Sequence, residues 1–233
     1  MNGDGVKSGV EGQRFIVVRG GPLRGDEALS AAKFPIASLF KVVIAYAALE
    51  SDKITLDEAV SCPDALPKAG KTEFTLSEAM LHSSNDFFKL LLNRLTPDEL
   101  RLAIDELRFP SLPSIDQSIE EEWADLWRGG NIQASPQEVF LFTRGLGELA
   151  RLSSKEAFIS CLRRSEADLA GGVYGKTGTW GGAAWCTGFS LDPVSNALPD
   201  VVTVLVTYTV PHWQDAHARA MQLFHEELKS SLG

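Results

Sequence analysis

Val173-Tyr174-Gly175-Lys176-Thr177-Gly178-Thr179-Trp180-Gly181-Gly182-Ala183-Ala184-Trp185-Cys186-Thr187-Gly188-Phe189-Ser190-Leu191 is the stretch on which the fold turns. The runs Val173–Thr179 and Ala183–Leu191 carry the β-branched and aromatic residues that suit strands. Gly181-Gly182 between them suits a tight hairpin, whose central residues take positive φ. A third run of this kind, Val201–Val210, follows, and far upstream Arg14-Phe15-Ile16-Val17-Val18-Arg19 reads as a strand closed by Gly20-Gly21-Pro22. Together they predict one antiparallel sheet built from both ends of the chain.

Helical signals fill the interval. From Ser38 to Glu50 the chain is apolar nearly all round, as in a helix buried in the middle of a domain. Between Thr75 and Glu166 the pattern is helical throughout. Thr75-Leu76-Ser77-Glu78 has the spacing of a capping box, and Thr96-Pro97-Asp98-Glu99 and Ser135-Pro136-Gln137-Glu138 open helices with proline in the first turn. Ala216 to Leu228 reads as a closing helix. The expected class is α+β: an antiparallel sheet from both termini, flanking helices and an inserted helical subdomain. One domain then spans 1–233, with a sheet subdomain at about 1–50 and 168–233 and a helical subdomain at about 51–167.

A chain of 233 residues with 44% hydrophobic content buries a substantial core. With 22 Lys plus Arg against 31 Asp plus Glu, the net charge of -9 argues against a nucleic-acid partner, whose binding would rest on neutralising phosphates. A small-molecule substrate fits better. Cys62, Cys161 and Cys186 have neither metal-binding spacing nor an even count, so they read as packed thiols, and no metal or cofactor is expected. Met1-Asn2-Gly3-Asp4-Gly5 begins no basic segment followed by an apolar core, so no secretory signal is read. The apolar runs are too short to cross a bilayer.

Three short motifs carry chemistry. Ser38-Leu39-Phe40-Lys41 places a hydroxyl and an amine three residues apart on one helical face, which suits a nucleophile and the base that activates it. Ser30-Ala31-Ala32-Lys33 has the same spacing but runs into Phe34-Pro35, which stops a helix, whereas Ser38 opens one and gains its electropositive N-terminus. Ser38 as a simple helix cap is the alternative. Ser83-Ser84-Asn85 joins two helical stretches. There Ser83 can relay a proton and Asn85 can bind an acyl amide, or the tripeptide can be no more than a helix-linking cap. In Lys176-Thr177-Gly178-Thr179, Gly178 inside a strand suggests that something approaches the backbone closely, and a substrate along the strand edge would do so. Lys176 would supply positive potential, Thr177 and Thr179 would bind a carboxylate, and the N–H groups of Thr179 and Ser38 would form an oxyanion hole. An exposed edge strand guarded by a lysine is the alternative.

In this order the three elements resemble the Ser-x-x-Lys, Ser-x-Asn and Lys-Thr-Gly set of serine β-lactamases and penicillin-binding proteins. Ser83 follows Ser38 by 45 residues, a spacing similar to that of class D β-lactamases and their transpeptidase-like penicillin-sensor relatives. Trp127-Arg128-Gly129-Gly130-Asn131-Ile132-Gln133-Ala134-Ser135-Pro136 resembles the class D stretch from an active-site tryptophan to a helix start. The resemblance covers roughly residues 34 to 192. It implies Ser38, Lys41, Ser83 and Lys176 as catalytic residues, and Asn85, Thr177, Gly178, Thr179 and Trp127 as substrate-binding ones.

The implied activity is acylation of Ser38 by a β-lactam or a D-Ala-D-Ala-like amide, followed by hydrolysis. Two alternatives stand beside it: a non-hydrolytic sensor that stays acylated, and an acyl transferase or esterase for other substrates. A periplasmic or extracellular setting follows if an export signal has been removed. Asn85 departs from the valine usual in class D, which speaks against a carbamate on Lys41. Glu120, Glu121 and Glu122 read as a solvated face rather than a general base. Arg219 is the candidate for a class D-like carboxylate-binding arginine beyond the last strand.

Overall fold

The hairpin forms as its sequence requires. In the computed structural model, which describes residues 13–21, 23–62, 72–110, 119, 121, 123–164, 172–191, 200–209 and 211–231, Trp180 pairs with Ala183 across Gly181 and Gly182, whose φ angles are 57° and 86°. In chain order the elements are β1 (Phe15–Arg19), β2 (Arg24–Gly25), β3 (Phe34–Pro35), α1 (Lys41–Glu50), β4 (Val60–Ser61), β5 (Glu73–Phe74), α2 (Leu76–His82), α3 (Asn85–Leu92) and α4 (Pro97–Glu106). After these come β6 (Gln133–Ala134), α5 (Pro136–Leu149), α6 (Glu156–Cys161), β7 (Arg163–Arg164), β8 (Val173–Trp180), β9 (Ala183–Ser190), β10 (Asp200–Thr207) and α7 (Trp213–Ser231).

The main sheet has the order β2-β1-β10-β9-β8-β7, antiparallel throughout. β1 from the start of the chain pairs with β10 from its end, which joins the termini into one sheet. Both faces of the central strands are covered, so they are apolar on both sides. Ala184, Cys186, Val202, Val204 and Val206 pack under Ala216, Ala220, Leu223 and Phe224 of α7. Trp185, Phe189 and Leu205 face the larger core, which is centred on α1, where every residue from Lys41 to Ala48 is buried. All three cysteines are buried thiols outside any disulfide, and burial raises the pKa of Cys161 above its ordinary value.

The capping boxes at Thr75, Thr96 and Ser135 are all present. The structure corrects the reading in four places. The Ser38 helix does not begin at Ser38: a 3-10 turn, Ala37–Phe40, precedes α1. The third strand ends at Thr207, with Val210 outside the described residues, as are Met1–Gly5, Glu120, Glu122 and Glu166. The interval from Thr75 to Glu166 also contains β6, which pairs with β3, and β7, which pairs with β8, while β4 and β5 pair just ahead of it. α7 starts at Trp213, three residues before Ala216. Among the described residues, no helix is long and apolar enough to cross a membrane.

Candidate active site

The Ser38 turn is fixed from several sides. β3 pairs with β6, Ile36 N–H donates to Ile132 O at 3.1 Å, and Trp185 Nε1–H donates to Pro35 O at 2.8 Å. Ala37, immediately before Ser38, takes φ of 51°, a left-handed conformation that costs a non-glycine residue energy and marks a held geometry. Two glycines make room for it. A Cβ on Gly129 would lie 2.8 Å from Ala37 O, and one on Gly178 would lie 3.0 Å from Ile36 O and 3.2 Å from Ser38 N. The close approach expected at Gly178 is therefore made by the chain's own Ser38 turn.

Ser83 is the second held residue. It caps the C-terminus of α2 in the left-handed region, with φ of 53°, while Ser84 caps the N-terminus of α3 by accepting from Phe87 N–H. The sharp turn brings Ser83 and Asn85 to Lys41. Lys41 Nζ donates to Ser83 O at 2.9 Å, Ser83 Oγ at 3.2 Å and Asn85 Oδ1 at 2.7 Å. Lys176, from β8, reaches the same hydroxyl: its Nζ donates to Ser83 Oγ at 2.9 Å and to Thr177 O at 3.0 Å. Both lysines are buried, at 0% and 3% exposure, so the Ser83 hydroxyl lies between two amines largely shielded from water. Phe88 and Trp127 flank Lys41, with ring centroids 5.4 Å and 5.8 Å from Nζ. Trp127 also packs against Lys89 and Arg128.

A cavity of about 400 Å³ opens here, lined by Ser38, Leu81, His82, Ser83, Asn85, Thr177, Gly178, Thr179, Trp213 and His217. Among the described residues β7 pairs with β8 at Val173 and Tyr174, Gly175 N–H donates to Leu162 O at 2.8 Å, and beyond Gly175 the edge of β8 faces the Ser38 turn with no strand paired to it. Six of the nine residues singled out from sequence line the cavity, and Lys41, Lys176 and Trp127 stand behind its wall. The Ser38 hydroxyl is hydrogen-bonded to no side chain among the described residues, so Ser38 and Lys41 are neighbours not yet joined. The competing Ser30 caps a short 3-10 turn, and Lys33 is engaged by Glu138 at the surface.

Arg219 is not in the site. Its guanidinium donates to Gln222 at 3.0 Å and lies over the Phe15 ring. The titratable α7 residue that lines the cavity is His217, whose Nδ1 is 3.0 Å from Thr179 Oγ1. Residues two apart on a helix point about 200° apart, so the two cannot share a face. Sequence reading also missed Trp213, His82 and Leu81. Trp213 and His217 are four apart on α7, a usable signal once the strand that α7 covers is known. Among the described residues, no group of three or more His, Cys, Asp and Glu is placed to hold a metal ion.

Solved structures share the architecture. A class D β-lactamase from Nostoc superposes with a TM-score of 0.71 over 93% of this chain and 92% of its own, at 15% identity. A class D β-lactamase from Bacillus subtilis gives 0.70 over 94% and 90%, at 19% identity. The C-terminal domain of the Bacillus licheniformis BlaR penicillin-receptor gives 0.67 over 94% and 90%, at 21% identity. None of the curated protein sequences matches the chain. The family described as the penicillin binding protein transpeptidase domain matches residues 24–148, more than half of the sequence, and the chain belongs to that family.

Proposed function

We propose that the protein is a serine acyl-transfer enzyme: Ser38 attacks the carbonyl carbon of a β-lactam or a D-Ala-D-Ala-like amide, forms an ester with the acyl group, and loses that ester to water. One observation carries this reading: the Ser83 hydroxyl held between Lys41 and Lys176, 3.2 Å and 2.9 Å away, beside Ser38. Two buried amines sharing one oxygen repel each other as cations, and burial disfavours the charge on each, so one of them gives up its proton readily. Lys41, the nearer to Ser38 in the chain, is assigned as that base: its three donated hydrogen bonds are those of an ammonium, and on losing a proton it keeps two of them and frees a lone pair for the Ser38 proton. It takes the Ser38 proton as Oγ bonds to the carbonyl carbon, and as the amide bond breaks Ser83 gives its own proton to the departing nitrogen and takes up the one that Lys41 acquired, so that the lysine ends neutral again.

Catalytic hydrogen bonds are commonly loose before a ligand enters, so the unjoined Ser38 hydroxyl is compatible with this role. The close approach of Gly178 to Ser38 N supports an oxyanion hole formed by the N–H groups of Ser38 and Thr179. Lys176 supplies positive potential behind the wall, Thr177 and Thr179 offer hydroxyls to a carboxylate, Asn85 offers its amide to the acyl group, and Trp127 shelters Lys41.

One contact favours a second reading, a penicillin sensor that is acylated once. The amine of Lys41 is engaged by three acceptors, including Asn85 Oδ1 at 2.7 Å, which leaves it poorly placed to activate a deacylating water. Intact mass spectrometry after mixing with a panel of β-lactams tests both. A one-equivalent adduct on Ser38 that decays as product accumulates supports the hydrolase. A persistent adduct supports the sensor, and no adduct with any β-lactam overturns both and leaves other esters or amides as substrates.

A further inference from the structure

Trp185 stands directly opposite Gly178 in the β8–β9 register, and residues so paired project from one face of the sheet. On that face Gly178 is bare, because a Cβ there would meet Ile36 O at 3.0 Å and Ser38 N at 3.2 Å. The neighbouring indole reaches the same turn. Its Nε1–H donates to Pro35 O at 2.8 Å across 150 positions of sequence, and the residue is 0% exposed. The hairpin meets Pro35 a second time, since a Cβ on Gly181 would lie 2.9 Å from Pro35 Cγ. Phe34 packs edge-on against the indole, with 6.4 Å between ring centroids.

We infer that Trp185 is a positioning residue that sets the width of the oxyanion hole. The inference rests on the acyl-transfer reading above, in which the hole has two halves, the N–H groups of Ser38 and Thr179. The halves belong to separate segments. Thr179 is paired with Ala184, the residue before Trp185, whereas Ser38 lies on the 3-10 turn that follows Pro35 and Ile36. Ile36 N–H donates to Ile132 O and Leu39 N–H to Ile36 O, bonds that tie the turn to the stretch before β6 and to itself. The indole bond joins it instead to the strand pair that carries the other half of the hole.

A hydrogen bond to a carbonyl is directional, whereas an edge-on ring contact tolerates sliding. The hole acts on charge that develops in the transition state, so a small displacement of one N–H costs rate before it costs ligand binding or folding.

Two changes remove the donor. Trp185→Phe keeps part of the ring, and 3-benzothienylalanine placed at position 185 keeps the whole shape with sulfur in place of the N–H. Ser38 acylation by the phenyl ester of phenylacetylglycine is compared with acylation by its thionoester, in which a larger sulfur replaces the carbonyl oxygen. In each, Oγ bonds to the acyl carbon as the bond to phenoxide breaks, and the phenol released carries away the proton that Ser38 lost. A hole shaped for oxygen prefers the oxo ester by about a hundredfold. In both variants that preference falls about tenfold, through a slower oxo ester at unchanged KM. Phe34→Leu, which loosens the packing and keeps the donor, lowers the melting temperature and retains the preference. No preference in the unmodified protein, an unchanged preference in the benzothienyl variant, or an equal fall in Phe34→Leu overturns the inference.

If neither ester reacts, the β-lactam panel above decides the acyl-transfer reading, and amide hydrogen exchange decides the tie. Exchange at Ile36 and Leu39 is then expected to quicken about tenfold in the benzothienyl variant while the β9–β10 pairs keep their protection. Unchanged exchange at both amides overturns the inference.

Discussion

Gly178 shows how tightly single residues are constrained around Ser38. A methyl group there would press on Ile36 O at 3.0 Å and Ser38 N at 3.2 Å, so the strand or the turn must shift by a few tenths of an ångström. Small displacements of a nucleophile cost rate far more than stability, and Gly178→Ala is expected to slow penicillin acylation by about tenfold to a hundredfold while the protein stays folded. Stopped-flow labelling alongside a thermal melt checks this. Ser38→Ala abolishes labelling by a fluorescent penicillin and Ser30→Ala leaves it intact; labelling that persists in Ser38→Ala would refute the nucleophile. Asn85, 2.7 Å from Lys41 Nζ, makes that pocket polar, which suits a free amine better than a carbamate. Bicarbonate added after degassing is therefore expected to leave acylation unchanged, and to activate only if Asn85→Val restores an apolar wall. A several-fold activation of the unmodified protein would move Lys41 into carbamate chemistry.

At the scale of elements, the capped helix starts at Thr75, Thr96 and Ser135 were the most legible features, because a cap and its partner lie three residues apart and need no tertiary contact, whereas the starts of α1 and α7, which carry no capping-box spacing, were misplaced. The β3–β6 and β4–β5 pairings were not legible, since two-residue strands carry no periodicity to detect. A chain of buried hydroxyls likewise escaped notice. Thr143 Oγ1 on α5 meets Thr187 Oγ1 on β9 at 2.7 Å, which meets Thr203 Oγ1 on β10 at 2.6 Å. Thr187 lies opposite Lys176 in the register, so this chain ties α5 to the strands behind the site. Thr187→Val removes the middle hydroxyl and weakens the satisfaction of both neighbours, with an expected loss of about 1–3 kcal/mol in urea unfolding. Replacing all three threonines by valine is expected to cost less than the sum of the single changes, because no hydroxyl is then left without its partner.

For the whole molecule, three carboxyls couple folding to acid. Burial alone would raise the pKa of Glu138, but Lys33 and the Ser135 N–H and hydroxyl outweigh it and hold the group below its ordinary value. The Thr96 N–H and Lys53 lower Glu99, and Arg14 lowers Asp26. A carboxyl lowered in the folded state contributes fully above its unfolded value of about 4, and that contribution is lost as pH falls through the folded value. The urea midpoint is therefore expected to hold from neutral pH down to about pH 5 and to drop below it, with a smaller drop in Glu138→Gln. A midpoint that rises on acidification would contradict this.

Much of the fold and site was readable in one dimension. The β-branched and aromatic runs, the Gly181-Gly182 turn, the capping boxes and the three motifs depend on neighbours within a few positions, and local sterics and hydrogen bonding determine them. Tertiary structure decided the rest, because it depends on which distant surfaces meet. It set Gly178 against the Ser38 turn, brought Lys41 and Lys176 to one hydroxyl from positions 135 apart, and chose His217 over Arg219 through the rotation of α7 on a sheet whose strands come from both ends of the chain.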